Sequence, residues 1–289
     1  MPFRTIIIKS RAKLEYSLNY LVYRTENLEK RILLDEINTI IIESTQVAIT
    51  TALISSLAEK NIKLIFCDSK FNPQCEILTY HGTYDMYDKL NEQFNISKLS
   101  KDKVWSEIVI KKILYQSKLL MKFSKESAEL LENYAQDVLL GDSTNREGFA
   151  AKVYFNRLFG TDFNRNQDCE INMFLDYGYT VILSSFNRII KMLGYYTELG
   201  IHHIGRTNPF NFSCDLMEPI RPLIDCYVVN KIVDKDNFRD IFVSILDSKV
   251  KINDSEMYLE NAIRVYVNSV INSLKSDGKV SISFIEYEL

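Results

Sequence analysis

Glycine and proline are scarce in this sequence, nine and five among 289 residues, which leaves little room for long disordered linkers. The five cysteines (Cys67, Cys75, Cys169, Cys214, Cys226) are odd in number, scattered, and form no C-x-x-C pair. That usage fits a reducing, cytoplasmic setting and argues against a thiolate zinc site. No apolar run approaches membrane-spanning length, the richest windows being "INTIIIE" and "TVILSS", so no membrane association is expected. The opening "MPFRTIIIKSRAK" reads as a strand and lacks the apolar stretch and cleavage site of a signal peptide. Neither a solenoid period nor a low-complexity segment is present. Basic charge is not in excess either. With a formal net charge of −3, a nucleic-acid partner requires a local basic strip rather than a basic protein.

What remains is the composition of a well-packed globular chain, 46% hydrophobic and 25% charged, long enough for one large domain or two. Short runs rich in Ile, Val, Leu and Tyr, such as "RTIIIK", "KLEYS", "YLVYR", "RILL", "INTIIIE", "IKLIFCD" and "EILTY", predict strands separated by polar turns. One helix interrupts them at "QVAITTALISSLAEKN", where Ile49, Leu53, Ile54 and Leu57 keep a helical spacing. Beyond "YHGTYD" the pattern turns to long amphipathic segments, from "KDKVWSEIVIKKILYQSKLLMKF" to "MYLENAIRVYVNSVINSLKS", with a strand-like tail "VSISFIEYEL". The expectation is an α+β protein: a β-rich, sandwich-like N-terminal domain (1–82) and a larger all-helical domain (83–289).

Histidine is also rare. Two of the three lie side by side in "HHIGRTNPFNFSCDLMEP", residues 202–219, and an Asp and a Glu follow. A helix starting near Asp215 would carry Leu216, Ile220, Leu223 and Tyr227 as its apolar stripe, with Asp215 and Glu218 together on the other side. Those acids either chelate a hard divalent cation or cap the helix. Pro and Gly place the histidines in a loop, and adjacent side chains diverge, so His202 and His203 cannot point the same way. His81 reads as a turn residue. Upstream, "STNREGFAAKVYF" offers Glu147, which either completes a T-x-x-E capping box with Thr144 or presents a third carboxylate beside Gly148, where a small residue admits a close approach. Arg146, Arg157, Arg165, Arg188, Arg206 and Arg221 lie near these residues in sequence, as suits phosphate handling.

Three segments, "NREGFAAKVYFNRLFG", "NMFLDYGYTVILSS" and "HHIGRTNPFNFSCDLMEPIRPLID", in that order after an Ile-rich β-domain, resemble the CRISPR-associated spacer-acquisition integrases, in the form that accompanies type II-A systems. The resemblance spans essentially the whole chain. It implies a metal-dependent endonuclease and integrase that inserts captured double-stranded DNA into the repeat array by phosphodiester transesterification. It implies Glu147, His203 and Glu218 as ligands of Mg²⁺ or Mn²⁺, with Asp215 an auxiliary catalytic acid. Dimerisation through the N-terminal domain is implied, as is a heterohexamer with a smaller CRISPR-associated partner dimer. Other type II-A adaptation proteins and the effector nuclease are further implied partners. Arg146, Arg206 and Arg221 are the expected DNA contacts. Two other readings use the same residues: a metal-dependent nuclease or resolvase of branched DNA, with water as nucleophile, and a catalytically silent DNA-binding scaffold whose acids only cap helices.

Overall fold

β-Branched and aromatic residues cluster in short runs through the first part of the chain, and the strands form there. The computed structural model describes residues 4–69, 73–77, 79, 86–276 and 279–289. Contacts divide the chain into two units, Met1–Tyr84 and Asp85–Leu289. His81 and the expected junction at 82/83 lie outside the described residues.

In the first unit, β1 (Arg4–Ile8), β5 (Ile37–Ile42), β7 (Lys63–Cys67) and β8 (Pro73–Glu76) form one sheet, in that spatial order, with only β8 antiparallel to its neighbour. The second sheet places β4 (Glu29–Leu33), β3 (Tyr20–Arg24) and β2 (Ala12–Ser17) as an antiparallel meander, and β6 (Val47–Ile49) runs parallel to β2. Leu18 and Asn19, both at positive φ (49° and 68°), make the tight turn between β2 and β3. Leu14 and Leu21 from one sheet meet Ile37, Ile40 and Leu64 from the other in a shared core, closed by Leu53 and Leu57 of α1 (Thr51–Glu59). Thr50 caps α1 by accepting the Leu53 N–H. The expected β-rich unit with one helix is therefore present.

The second unit is built on α3 (Lys98–Leu120), which packs against α4 (Lys125–Gln136), α5 (Arg146–Phe159), α8 (Arg221–Val229) and α10 (Leu259–Lys275). Between α5 and α8 the chain forms α6 (Glu170–Met192) and α7 (Asn211–Met217), followed by a 3₁₀ turn at Glu218–Ile220; α9 (Phe238–Ser244) comes after α8. Val104, Trp105, Ile108, Val109 and Ile113 of α3 are at most 1% exposed, so α3 is buried on the face that the rest of the unit surrounds. Ser97 and Ser124 cap α3 and α4 through the N–H groups of Ser100 and Ser127.

Three elements depart from the sequence reading. α2 (Met86–Phe94) was not anticipated, nor was the hairpin of β9 (Lys249–Ile252) and β10 (Ser255–Tyr258). The strand-like tail makes a single bridge, Glu286 to Lys251, and otherwise buries Ile285, Tyr287 and Leu289 against the helices. Its alternation therefore serves helix packing rather than a sheet.

Asp225 of α8 is buried and accepts hydrogen bonds from the Tyr154 hydroxyl (2.8 Å) and the Tyr179 hydroxyl. Burial pushes its carboxyl up to about 6 from the usual 3.8, and the two phenol hydrogen bonds and the Arg221 and Arg165 charges offset that only in part. A raised carboxyl contributes stability below the unfolded value and loses it as pH rises through the folded one. Asp225→Asn should therefore gain on the wild type by on the order of 3 kcal/mol between about pH 4 and about pH 7. Urea unfolding of both proteins at the two pH values checks this, and a pH-independent difference would refute it.

Candidate metal centre

The chain enters α5 through a run of left-handed residues, Gly141 (φ 65°), Asp142 (φ 50°) and Asn145 (φ 54°). This brings Asp142 back over the helix start, where its carboxylate accepts the N–H groups of Arg146 (2.7 Å) and Glu147 (3.0 Å). Asn145 accepts the N–H of Gly148 (3.2 Å). Of the two readings of Glu147, the capping box with Thr144 is not formed, since Asn145 is the capping residue and Asp142 already takes the Glu147 N–H. Gly148 is explained by the same cap: a Cβ there would lie 2.7 Å from Asn145 Oδ1. Relieved of capping, the Glu147 carboxylate accepts Lys112 Nζ of α3 at 2.6 Å.

The acid in "SCDLMEP" is placed differently from the sequence expectation. α7 begins at Asn211, so Asp215 sits inside a helix and does not cap one. Its fully buried carboxylate instead holds the preceding loop: Oδ2 accepts the N–H groups of Ile201 (2.6 Å) and His202 (2.9 Å), and Oδ1 that of His203 (3.1 Å). Oδ1 also meets His203 Nδ1 at 2.5 Å. Gly200 makes the wrap possible, because a Cβ there would fall 2.2 Å from the His203 carbonyl oxygen and 2.9 Å from Asp215 Oδ2. The sequence reading missed Gly200, and a glycine just before the histidine pair was its available signal.

The two histidines diverge as expected. His202 stacks on the buried Trp105 of α3, centroids 4.4 Å apart and planes 5° from parallel. His203 lies edge-on to Trp105, and its side chain is 45% exposed. The Asp215 hydrogen bond raises the His203 pKa; burial opposes this, and the Asp215, Glu218 and Glu147 charges add to it. With Nδ1 engaged, Nε2 is the ring nitrogen left for a ligand.

Glu218 occupies the 3₁₀ turn between α7 and α8, with Pro219 beside it. It does not share Asp215's surroundings: Oε2 lies 2.5 Å from Lys112 Nζ, and Oε1 lies 2.9 Å from Arg221 Nε. Burial alone would push its carboxyl up, but Arg221 and then Lys112 hold it below the usual range. For Lys112 burial favours the neutral amine, and the charges of Glu218 and Glu147 outweigh it, raising the pKa.

Glu147 and Glu218 therefore come from separate segments and converge on one cationic point, while His203 is oriented from behind by a buried acid. Hard oxygen donors with an imidazole held in a defined orientation suit a divalent cation such as Mg²⁺ or Mn²⁺. Among the described residues no three His, Cys, Asp or Glu side chains already share a common centre. Lys112 lies between the two glutamates. Of the arginines, Arg221 stacks on Tyr179 (4.7 Å) besides pairing with Glu218. Arg146 packs on Tyr134 (5.7 Å) and approaches Asp137 at 3.7 Å. Arg206 is exposed and lines a cavity of about 550 Å³ next to His203, together with Lys101 and Ile204.

The family model of the CRISPR associated protein Cas1 matches residues 5–258. The chain belongs to the Cas1 family. It is 35% identical over 231 residues to the CRISPR-associated endonuclease Cas1 of Neisseria meningitidis serogroup C (strain 8013), an alignment covering 80% of this chain and 76% of that protein. It is 23% identical over 276 residues to CRISPR-associated endonuclease Cas1 1 of Francisella tularensis subsp. novicida (strain U112), covering 87% of this chain and 86% of that one. Among solved structures, a casposase bound to integration product superposes with a TM-score of 0.78 at 17% identity, covering 99% of this chain and 94% of that one. A CAS1 protein from Thermotoga maritima gives a TM-score of 0.78 at 15% identity over 98% of this chain and all of its own. A Cas6-RT-Cas1–Cas2 complex chain gives 0.74 at 15% identity, covering 96% of this chain and 36% of that one. These structures share the fold of this Cas1 family member, an α+β protein with a β-rich N-terminal part. No helix among its described residues is long and apolar enough to cross a membrane.

The centre makes a stability prediction. Removing the Asp215 carboxylate strands three backbone N–H groups and frees the imidazole. Asp215→Ala should cost about 3–5 kcal/mol, while Glu147→Gln, partly exposed and without backbone partners, should cost at most about 1–2 kcal/mol. Equal losses in urea unfolding would show that Asp215 does not hold the loop.

Proposed function

We propose that this protein is a CRISPR adaptation integrase with DNA endonuclease activity, joining captured double-stranded DNA to the repeat array by metal-dependent transesterification. The observation that carries the reading is the convergence of Glu147 and Glu218 on one cation beside an imidazole oriented by Asp215. The Cas1 family membership supports it.

In the proposed reaction a 3′-hydroxyl oxygen of the captured DNA bonds to a phosphorus of the repeat strand. The phosphorus–oxygen bond to the departing 3′-oxygen breaks, and the attacking hydroxyl's proton passes to the departing oxygen or to solvent. Glu147, His203 Nε2 and Glu218 would hold Mg²⁺ or Mn²⁺, which when bound acidifies the hydroxyl and offsets charge gathering on the phosphate. Asp215 holds His203 Nδ1, which would leave Nε2 for the metal, and Arg221 keeps Glu218 ionised. The exposed Arg206 and, from the start of α5, Arg146 would contact DNA phosphates; Arg221 would do so with what it does not give to Glu218. Such contacts act on the backbone, so binding would weaken with salt and show little sequence preference.

Assembly as a homodimer, its joining with a Cas2 dimer, cooperation with other type II-A adaptation proteins and a cytoplasmic setting belong to the same proposal. The similar chain from a Cas6-RT-Cas1–Cas2 complex supports the association with Cas2, and the free cysteines support the reducing setting.

A branched DNA that mimics a half-finished integration product tests the reading. Wild type with Mn²⁺ should resolve and religate it, EDTA should stop this, and Glu147→Ala and His203→Ala should each lose on the order of 100-fold or more. Strand cleavage without religation would favour a branched-DNA nuclease. Unchanged processing by both variants would place the chemistry on other residues, and no processing by any of the proteins, with or without metal, would leave a DNA-binding scaffold.

A further inference from the structure

Lys112 is the one group at the centre that the proposed chemistry leaves without a role. It lies on α3 on the same face as the buried Ile108 and Val109, and is only 8% exposed. A lysine buried to that degree needs a compensating charge, for which one carboxylate is enough. Lys112 has two, on segments far apart in the chain: Glu147 Oε1 at 2.6 Å and Glu218 Oε2 at 2.5 Å. These are the two carboxylates to which the proposed function gives the metal. The other oxygen of Glu218 is taken by Arg221. Charge is therefore balanced within the cluster, two carboxylates against one ammonium and one guanidinium.

From this we infer that Lys112 is the resident counter-ion of the metal centre, holding Glu147 and Glu218 together until a divalent cation displaces its ammonium. The inference rests on the metal-dependent reading above and adds to it a competing cation supplied by the protein. Two positive charges added to a balanced cluster leave it in excess, and the ammonium stands where Glu147 and Glu218 converge. Arg221 is the less mobile of the two cations, since its guanidinium is also stacked on Tyr179. The flexible arm of Lys112 is therefore the one that moves. This device keeps the buried Glu218 and the half-buried Glu147 together without metal, and its consequence is weaker metal affinity. Lys112 is a positioning residue in this scheme.

The test measures thermal unfolding in EDTA and Mn²⁺ binding by calorimetry, on the full chain. In EDTA, Lys112→Met should melt below wild type. Glu147→Gln should lower the melting temperature of wild type yet raise that of Lys112→Met, because without the ammonium the two carboxylates repel each other. Lys112→Met should bind Mn²⁺ on the order of tenfold tighter than wild type, or more, and Mn²⁺ should raise its melting temperature further than it raises that of wild type. If Lys112→Met folds only when Mn²⁺ is supplied, that also supports the inference, and Lys112→Gln then serves for the EDTA comparison. Should Glu147→Gln be destabilising in both backgrounds, Lys112 is not the clamp. If Lys112→Met and wild type bind Mn²⁺ equally and Glu147→Gln abolishes binding, the metal centre stands and the competing lysine is refuted. Absence of Mn²⁺ binding by every protein would overturn the metal reading and this inference with it.

Discussion

A carboxylate enclosed in a helical interior must be met by donors, and the core of this protein encloses several. Asp215, Glu218 and Asp225 are each at most 4% exposed, and each is answered in a different way. Asp215 is met by backbone N–H groups and an imidazole, Glu218 by two cations, and Asp225 by two phenols. The kind of donor decides the chemistry. Cations hold Glu218 ionised against burial, whereas phenols leave Asp225 with a carboxyl raised to about 6. Similar burial thus gives one ionised acid paired with two cations and another that serves the packing of α5, α6 and α8.

α3 carries much of this arrangement. Its apolar face is the floor of the helical unit, and two of its residues reach the centre. Trp105 provides the surface on which His202 stacks, so His203 is the histidine that meets Asp215. Lys112 provides the ammonium that draws Glu147 and Glu218 together. The centre is therefore assembled on a buried helix from the start of α5, the histidine loop and the 3₁₀ turn after α7, an arrangement that keeps donor geometry defined.

Local devices recur wherever the chain must turn sharply into the centre. Positive-φ residues at 141, 142 and 145 aim Asp142 and Asn145 at the first turn of α5, which releases Glu147 from capping. Gly200 lets the loop close on Asp215. The first device is a left-handed backbone and the second is clearance for a close approach, and each shapes the backbone within three residues of a side chain of the centre.

Much was legible in the sequence because it is local. The strands of the first unit, the long helices and the divergence of His202 from His203 follow from periodicity and turn residues over a few positions. What tertiary structure alone decided is which partners those residues take. The T-x-x-E pattern suggested a capping box, but Asp142 reached the same N–H groups first. Apolar spacing predicts a helix from Asp215, but α7 starts four residues earlier, and Asp215 faces the histidine loop. The tail "VSISFIEYEL" has strand composition, yet it packs on helices, because alternation reports burial and not the identity of the neighbour. Lys112 is the clearest case. In sequence it is one of several lysines on an amphipathic helix, thirty-five residues from Glu147. Periodicity reveals which face of a helix is buried. Only packing three separate segments together determines that a buried ammonium ends between two carboxylates, because that contact exists in no stretch of the chain taken alone.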